Sequence, residues 1–298
     1  MESLTPSRAG SYSYVVSASR RTDIPAFHAE WFFSCFREGC CRVTNPFNRS
    51  QSRIVSLRPE SVVAIVFWTR NSRPFRKRLA MLDDEGMNYF FLYTLTGYGP
   101  GLERQVPPLR EQVEEFLWLT GRIGLRRVVW RYDPVVLTEE MDLSYHYRNF
   151  RNIAGLLQGG TERVVVSFLK PYRKTRVRMK GTGYRLAEEH EQSLLLQGFE
   201  SVADACGMRL QCCAVPGLQG SALGGKCIDD RLIREETGIE LPSRKDPGQP
   251  PLCRCIRSID IGSYNTCMHG CRYCYATGDR PRLPERAAGE RPFPSALG

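Results

Sequence analysis

The sequence predicts an α/β protein built on a parallel sheet, a partial or variant TIM-like (β/α) barrel, followed by a cysteine-rich C-terminal segment. Three observations lead there. Short β-branched and aromatic runs alternate with longer amphipathic stretches, the pattern of repeated βαβ units. Polar and charged residues follow nearly every apolar run. Five of the chain's 12 cysteines fall between Cys253 and Cys274.

The elements follow in order. Ser13–Val16 reads as a strand that ends in the polar turn Ser17 to Asp23. The segment from Ala26 to Glu38 is a helix with Phe27, Trp31, Cys35 and Phe36 on one face, stopped by Gly39. Val62–Trp68 and Tyr89–Leu95 are the next strands, with Thr69-Arg70-Asn71 and Thr96-Gly97-Tyr98-Gly99 at their exits. A helix spans Leu109 to Gly121. Arg127–Arg131 is a strand ending in Tyr132-Asp133-Pro134, and Leu143 to Leu157 is a helix. Arg163–Phe168 exits through Lys170-Pro171-Tyr172. A long helix from Tyr184 to Cys206 leads to a strand at Met208–Cys213. Right-handed crossovers put all strand exits on one edge, where α/β proteins carry their chemistry. That edge would present a mostly cationic rim. Arg20, Arg21, Asp23, Arg131 and Asp133 are its candidate catalytic residues. Arg70, Asn71, Tyr98 and Lys170 are candidate cofactor contacts. Asp23 has an alternative as a helix cap, and Asp133-Pro134 as a turn. Lys170 to Lys180 is basic without an acid, either a solvated loop or an anion clamp.

Composition bounds the function. The chain has 298 residues, 42% hydrophobic and 25% charged, so it is globular. No apolar run approaches the roughly 20 residues of a membrane span, and the start lacks the apolar core of a secretory signal. A cytoplasmic protein without a membrane partner is expected. The net charge is +10, and all but six of the 42 basic residues are arginine. Arginine forks suit carboxylates and phosphates, so an anionic small molecule fits, and nucleic acid stays open. Residues 1–11 and 277–298 are expected to be disordered, 12–215 to form the barrel-like domain, and 216–276 to form a metal-cluster segment packed on it. Twelve cysteines in a reducing compartment, crowded at one end, point to metal.

Residues 267–274 read C-M-H-G-C-R-Y-C. Three thiolates on one tight loop can hold three irons of a [4Fe–4S] cube and leave the fourth iron open. Zinc normally takes four ligands, and His269, lying between two of the cysteines, has little reach to be the fourth. The C-x3-C-x2-C spacing with an aromatic before the last cysteine is the radical S-adenosylmethionine signature.

The chain also resembles the domain of unknown function 1848 family over roughly Tyr14 to Ala276. The likeness is carried by SASRRTDIPAF (17–27), TNPFN (44–48), VFWTRN (66–71), TLTGYG (94–99), WRYDP (130–134), KCIDDRLI (226–233) and the run from Cys253 to Ala276. That family is noted for a radical-SAM-like cysteine cluster at its C-terminus. Through the cysteine motif the chain is distantly similar to the spore photoproduct lyase and radical SAM barrel group. The resemblance implies a [4Fe–4S] cluster on Cys267, Cys271 and Cys274, S-adenosyl-L-methionine on the open iron, and Tyr273 near the adenine. It implies an electron donor such as ferredoxin or flavodoxin. It implies a 5′-deoxyadenosyl radical acting on an anionic, small or phosphate-bearing substrate. Radical SAM enzymes carry the loop after their first strand, whereas here it comes last. Ser258–Ile261 is the candidate for a permuted first strand beside Ser13–Val16. Competing readings are a zinc- or iron–sulfur-stabilised nucleic-acid-binding protein and an electron-transfer protein.

A second metal site is expected from Cys213, Cys227, Cys253 and Cys255, holding either another [4Fe–4S] cluster or zinc. Cys253-x-Cys255 precedes the loop, and Cys227 lies in a glycine-rich turn. Cys212 and Cys213 face opposite ways on their strand. The family resemblance selects Cys213, since a cysteine precedes alanine there. Cys35, Cys40, Cys41 and Cys206 are expected to be core thiols.

Overall fold

The computed structural model describes residues 13–278 except 49, 216 and 218–222. The order of elements is β1 (Tyr14–Ala18), α1 (Ile24–Phe27), α2 (Ala29–Glu38), β2 (Cys40–Thr44), β3 (Ser52–Ser56) and β4 (Val62–Thr69). A 3-10 turn at Arg73–Arg78 leads to α3 (Leu79–Asp84), β5 (Tyr89–Thr94), α4 (Leu109–Ile123), β6 (Val128–Val135) and α5 (Leu143–Leu156). Then come β7 (Arg163–Phe168), α6 (Arg173–Arg178), α7 (Glu189–Ala205), β8 (Arg209–Cys212), α8 (Asp230–Thr237) and β9 (Ser258–Asp260).

Seven strands form one sheet in the order β8-β7-β6-β5-β4-β1-β9, and every pair in it is parallel. The last strand in the chain lies beside the first, with Val16 opposite Ile259. If β9 is counted first, the strands follow one another across the sheet in a single direction. Barrel closure is not observed, because β8 and β9 are the two ends of the order.

The near-continuous apolar runs of β4 and β5 reflect cover on both faces. On one face Val16, Phe67, Phe91, Trp130 and Val166 pack against the helices α2, α4, α5 and α7. Phe150 of α5 lies flat between Trp130 and Phe199, with ring centroids 4.8 and 4.2 Å away. On the other face Val15, Val66, Phe90, Leu92, Val129 and Val165 are covered by the segment from Cys227 to Ile256, including Leu232 and Ile233 of α8. In a closed barrel that face would be filled by side chains of the strands alone. Here a separate stretch of chain lies over it.

Several sequence expectations need correction. The helix expected from Ala26 to Glu38 is two helices that meet at His28, whose φ of −130° leaves the helical range; the first begins earlier, at Ile24, capped by Asp23 with Pro25 in its first turn. The helix expected from Tyr184 starts instead at Glu189. Glu188 and Glu191 form a reciprocal capping box, and Arg185 is held by Glu191, which fixes the preceding residues outside the helix. The strand expected to end at Arg131 continues to Val135, since Tyr132 and Val135 are buried in the helix-side core. The β2–β3 hairpin and α8 were not foreseen. No helix among the described residues is long and apolar enough to cross a membrane. The disorder expected for 1–11 lies outside the described residues, as does that of 279–298. Thr277 and Gly278 are held by hydrogen bonds from Arg178 and to Asn265.

Candidate functional site

The C-terminal ends of the strands open into one cavity of about 890 Å³. The strand exits, the C-x3-C-x2-C loop and the segment carrying Cys253 and Cys255 all contribute to its wall.

The loop is fixed from three sides by its own backbone. The Thr266 carbonyl lies 3.1 Å from His28 Nε2. The His269 carbonyl accepts from the Gln105 N–H, and the Arg272 N–H donates to the Leu102 carbonyl. From the third side, Thr175 donates to the Tyr273 carbonyl and Arg178 to the Cys274 carbonyl. Thus part of the basic segment between Lys170 and Lys180 is the short helix α6, and its Arg178 serves the loop. Gly270, at φ +69°, makes the turn between Cys267 and Cys271 in a conformation that favours glycine. Cys267, Cys271 and Cys274 all line the cavity. Burial pushes the Cys271 thiol up to about 12, against the lowering effect of nearby Arg70. Burial likewise raises Cys267, and Asp23 and the other two thiols add to the effect. Without a bound metal Cys267 and Cys271 hold their protons, and a thiophilic ion would take the protons' place.

A buried network supports the loop from the β4 and β5 exits. The Arg70 guanidinium pairs with Glu103 at 2.9 Å, donates to Thr96 Oγ1, and meets the Tyr273 hydroxyl. The Tyr273 hydroxyl and Thr96 both donate to Glu103. Burial opposes the charge on Arg70, but Glu103 and its neighbours hold it well above its ordinary range. Asp23 is committed in the same way. It caps α1 through the Ala26 N–H, accepts from Thr69 Oγ1 and the Arg70 N–H, and lies 2.8 Å from His269 Nε2. His269 is therefore a support of the loop between two cysteines.

The rim differs from the cationic one expected. Arg20, Arg21, Arg70, Arg131 and Lys170 all line the cavity, but the four arginines have carboxylate partners. Arg20 faces Asp246 at 3.5 Å, Arg21 faces Asp260 at 3.9 Å, and Arg131 pairs with Asp133. Asp133 also accepts from Ser167. Arg20 and Arg131 lie over the Trp68 ring, 5.3 and 4.6 Å from its centroid. Asn71 and Tyr98 are not part of the wall. Asn71 accepts from the Arg73 N–H, while Tyr98 donates to the Pro134 carbonyl and meets the Tyr273 ring edge-on.

Sequence reasoning missed Glu103, Asp246 and Asp260. Asp260 gathers the start of the rim: it accepts from Ser17, Ser19, the Arg20 N–H and the Gly262 N–H. It ends β9, so the strand-exit rule applied to the other strands would have found it. Glu103 lies in an irregular loop, where no periodicity marks it.

Among the described residues, Cys213, Cys227 and Cys255 form a group whose sulfurs all lie within 4.8 Å of one another, and this group could hold a metal ion. Cys35 and Cys41 lie in the helix-side core, and all twelve cysteines are outside disulfides.

The class of protein is an open parallel α/β sheet whose C-terminal edge carries one close thiol group among the described residues, with Cys267, Cys271 and Cys274 lining the same cavity without forming a second such group. Across residues 15–276 the chain matches the family described as Domain of unknown function (DUF1848), and it belongs to that family. No curated protein and no solved structure matches it.

Proposed function

We propose that the protein is a radical SAM-type iron–sulfur enzyme acting on an anionic substrate. In this reading residues 12–215 are a variant barrel, and 216–276 are the metal segment. The observation that carries the reading is the position of the C-x3-C-x2-C loop. It leaves the end strand β9, which lies beside β1, so the loop follows the first strand in spatial order as it does in the radical SAM group. Three thiols of one loop, Cys271 buried and Cys267 and Cys274 half-buried, line a common cavity large enough for a nucleoside-sized molecule, which supports a cube with one open iron.

Cys267, Cys271 and Cys274 would hold the cluster. When bound, such a cluster supplies the electron that cleaves S-adenosylmethionine to a 5′-deoxyadenosyl radical. The chain's residues bind, orient and exclude water. Tyr273 is clamped by Arg70 and Glu103, so it fixes the loop and leaves its ring to close the cavity wall. Arg20 and Arg131 lie over Trp68 in the cavity wall, and Lys170 adds a cation. Together they orient a carboxylate or phosphate by position, since the rim's charges are largely paired. A cytoplasmic electron donor such as ferredoxin or flavodoxin completes the reading.

The test is anaerobic reconstitution with iron and sulfide, followed by electron paramagnetic resonance of the reduced protein. A reduced-cluster signal that shifts when S-adenosylmethionine is added supports the reading, and its loss in Cys271→Ala assigns the loop. A signal indifferent to S-adenosylmethionine would favour simple electron transfer.

A further inference from the structure

We propose that Cys213, Cys227, Cys253 and Cys255 bind a single thiophilic divalent ion of the zinc class, which staples the C-terminal segment to the sheet. The four thiols come from three separate stretches: the end of β8, the turn before α8, and the irregular run before β9. The sulfurs of Cys213, Cys227 and Cys255 lie within 4.8 Å of one another. Cys253, two residues before Cys255, lines the same cavity wall, and its thiol interacts with that of Cys213. Both sequence-distant pairs therefore meet at one point in the cavity wall.

The compactness selects the ion. Four thiolates around tetrahedral zinc, with Zn–S of about 2.3 Å, stand about 3.8 Å apart. On a cube each thiolate bonds its own iron, so the sulfurs spread wider than around one shared ion.

The surroundings support a thiolate shell. The Ile228 N–H donates to Cys255 Sγ at 3.5 Å. Arg20 is next to Cys255, and Arg131 is next to Cys227 and Cys213. Each guanidinium also touches a carboxylate, yet Arg20 Nη2 and Arg131 Nε are buried with no hydrogen-bond partner. Four thiolates on a dication carry a net charge of about −2. These cationic donors meet that need in the manner of outer-shell partners. On binding, the thiol protons leave to solvent and no electron moves.

The location gives the ion its task. The segment from Cys227 to Ile256 covers the second face of the sheet with one eight-residue helix and few apolar side chains. An ion tied to β8 at one end of the sheet and to the approach to β9 at the other adds the constraint that this thin cover lacks. β9 and the loop after it are held in place as a consequence. This site does not depend on the radical SAM reading, since its ligands are separate from Cys267, Cys271 and Cys274.

The experiment uses Cys267→Ala/Cys271→Ala/Cys274→Ala, purified without oxygen from medium containing zinc and iron, with metals counted by mass spectrometry. About one zinc per chain is expected, with X-ray absorption showing about four sulfurs near 2.3 Å. Cys253→Ser in that background is the milder probe, since it keeps three ligands. A chromophoric chelator should strip its zinc at least about tenfold more readily. A triple variant with no metal would overturn the proposal, as would one holding about four irons with sulfide, a second cube. Unchanged chelator competition in Cys253→Ser would remove that residue from the site and break the four-ligand assignment. Loss of S-adenosylmethionine chemistry in the wild type, with zinc retained in the triple variant, would refute only the radical reading.

Discussion

Replacing Glu103 by glutamine should destabilise the fold more than any surface ion pair could. The Glu103 side chain is 1% exposed and that of Arg70 is 9%, and their charged atoms are 2.9 Å apart. At an effective dielectric near 20, that separation corresponds to roughly 6 kcal/mol of attraction, an upper bound on what glutamine removes. Glutamine keeps an acceptor for Thr96 and Tyr273 but leaves the Arg70 charge buried without its counter-ion. Breaking a buried pair in this way costs about 3–5 kcal/mol. That is a large part of the 5–15 kcal/mol typical of a folded domain. The double variant Arg70→Met/Glu103→Leu removes both charges, and it should lose much less than the sum of the two single changes. The assay is urea unfolding followed by circular dichroism, with each variant at the same metal load. A Glu103→Gln cost under about 1 kcal/mol, or strictly additive double-variant losses, would refute the network as the support of the loop.

Two further predictions concern the frame. His146 is fully buried between the Tyr132 hydroxyl and the Val136 carbonyl, and burial lowers its pKa from 6.5 to about 4. The folded state therefore binds this proton less readily than the unfolded chain. Its contribution to stability is complete above pH 6.5 and declines by about 3 kcal/mol as the pH falls toward 4. Unfolding midpoints across that range should fall more steeply in the wild type than in His146→Gln, and parallel slopes would contradict the assignment. At Gly262 an added methyl would overlap Ser19, whose hydroxyl binds Asp260. Gly262→Ala should therefore loosen β9 from β1, seen as faster amide exchange at Val16 and Ser17, while unchanged exchange would mean the close approach is not needed.

Much of the fold was legible because each parallel strand is a short apolar run with a polar exit, a local signal that survives in sequence. The β9 strand was found the same way, from Ser258–Ile261 just before the cysteine loop. The hairpin from Cys40 to Ser56 escaped because its residues alternate only weakly in hydrophobicity and three of the five residues of β3 are exposed. The break at His28 escaped because its non-helical backbone leaves no mark in the apolar periodicity of the segment. At the site, Cys267, Cys271 and Cys274 are named by their spacing, whereas the second set needed more: Cys227 came from its glycine-rich turn and Cys213 from the family resemblance. What spacing could not convey is the pairing of charges. Arg70 with Glu103, Arg20 with Asp246, and Arg21 with Asp260 join residues tens to hundreds of positions apart. A list of strand-exit arginines therefore reads as a cationic rim until the tertiary partners are seen.

The central claim is that Cys267, Cys271 and Cys274 make this protein a radical SAM enzyme. Its most direct test is the reduced, iron–sulfur-reconstituted protein mixed with S-adenosylmethionine under nitrogen, with 5′-deoxyadenosine measured by liquid chromatography. The account predicts 5′-deoxyadenosine above the level of the dithionite control, and its absence when any of the three cysteines is replaced by alanine. A fully reconstituted protein that forms none, or forms as much in the triple alanine variant, would contradict it.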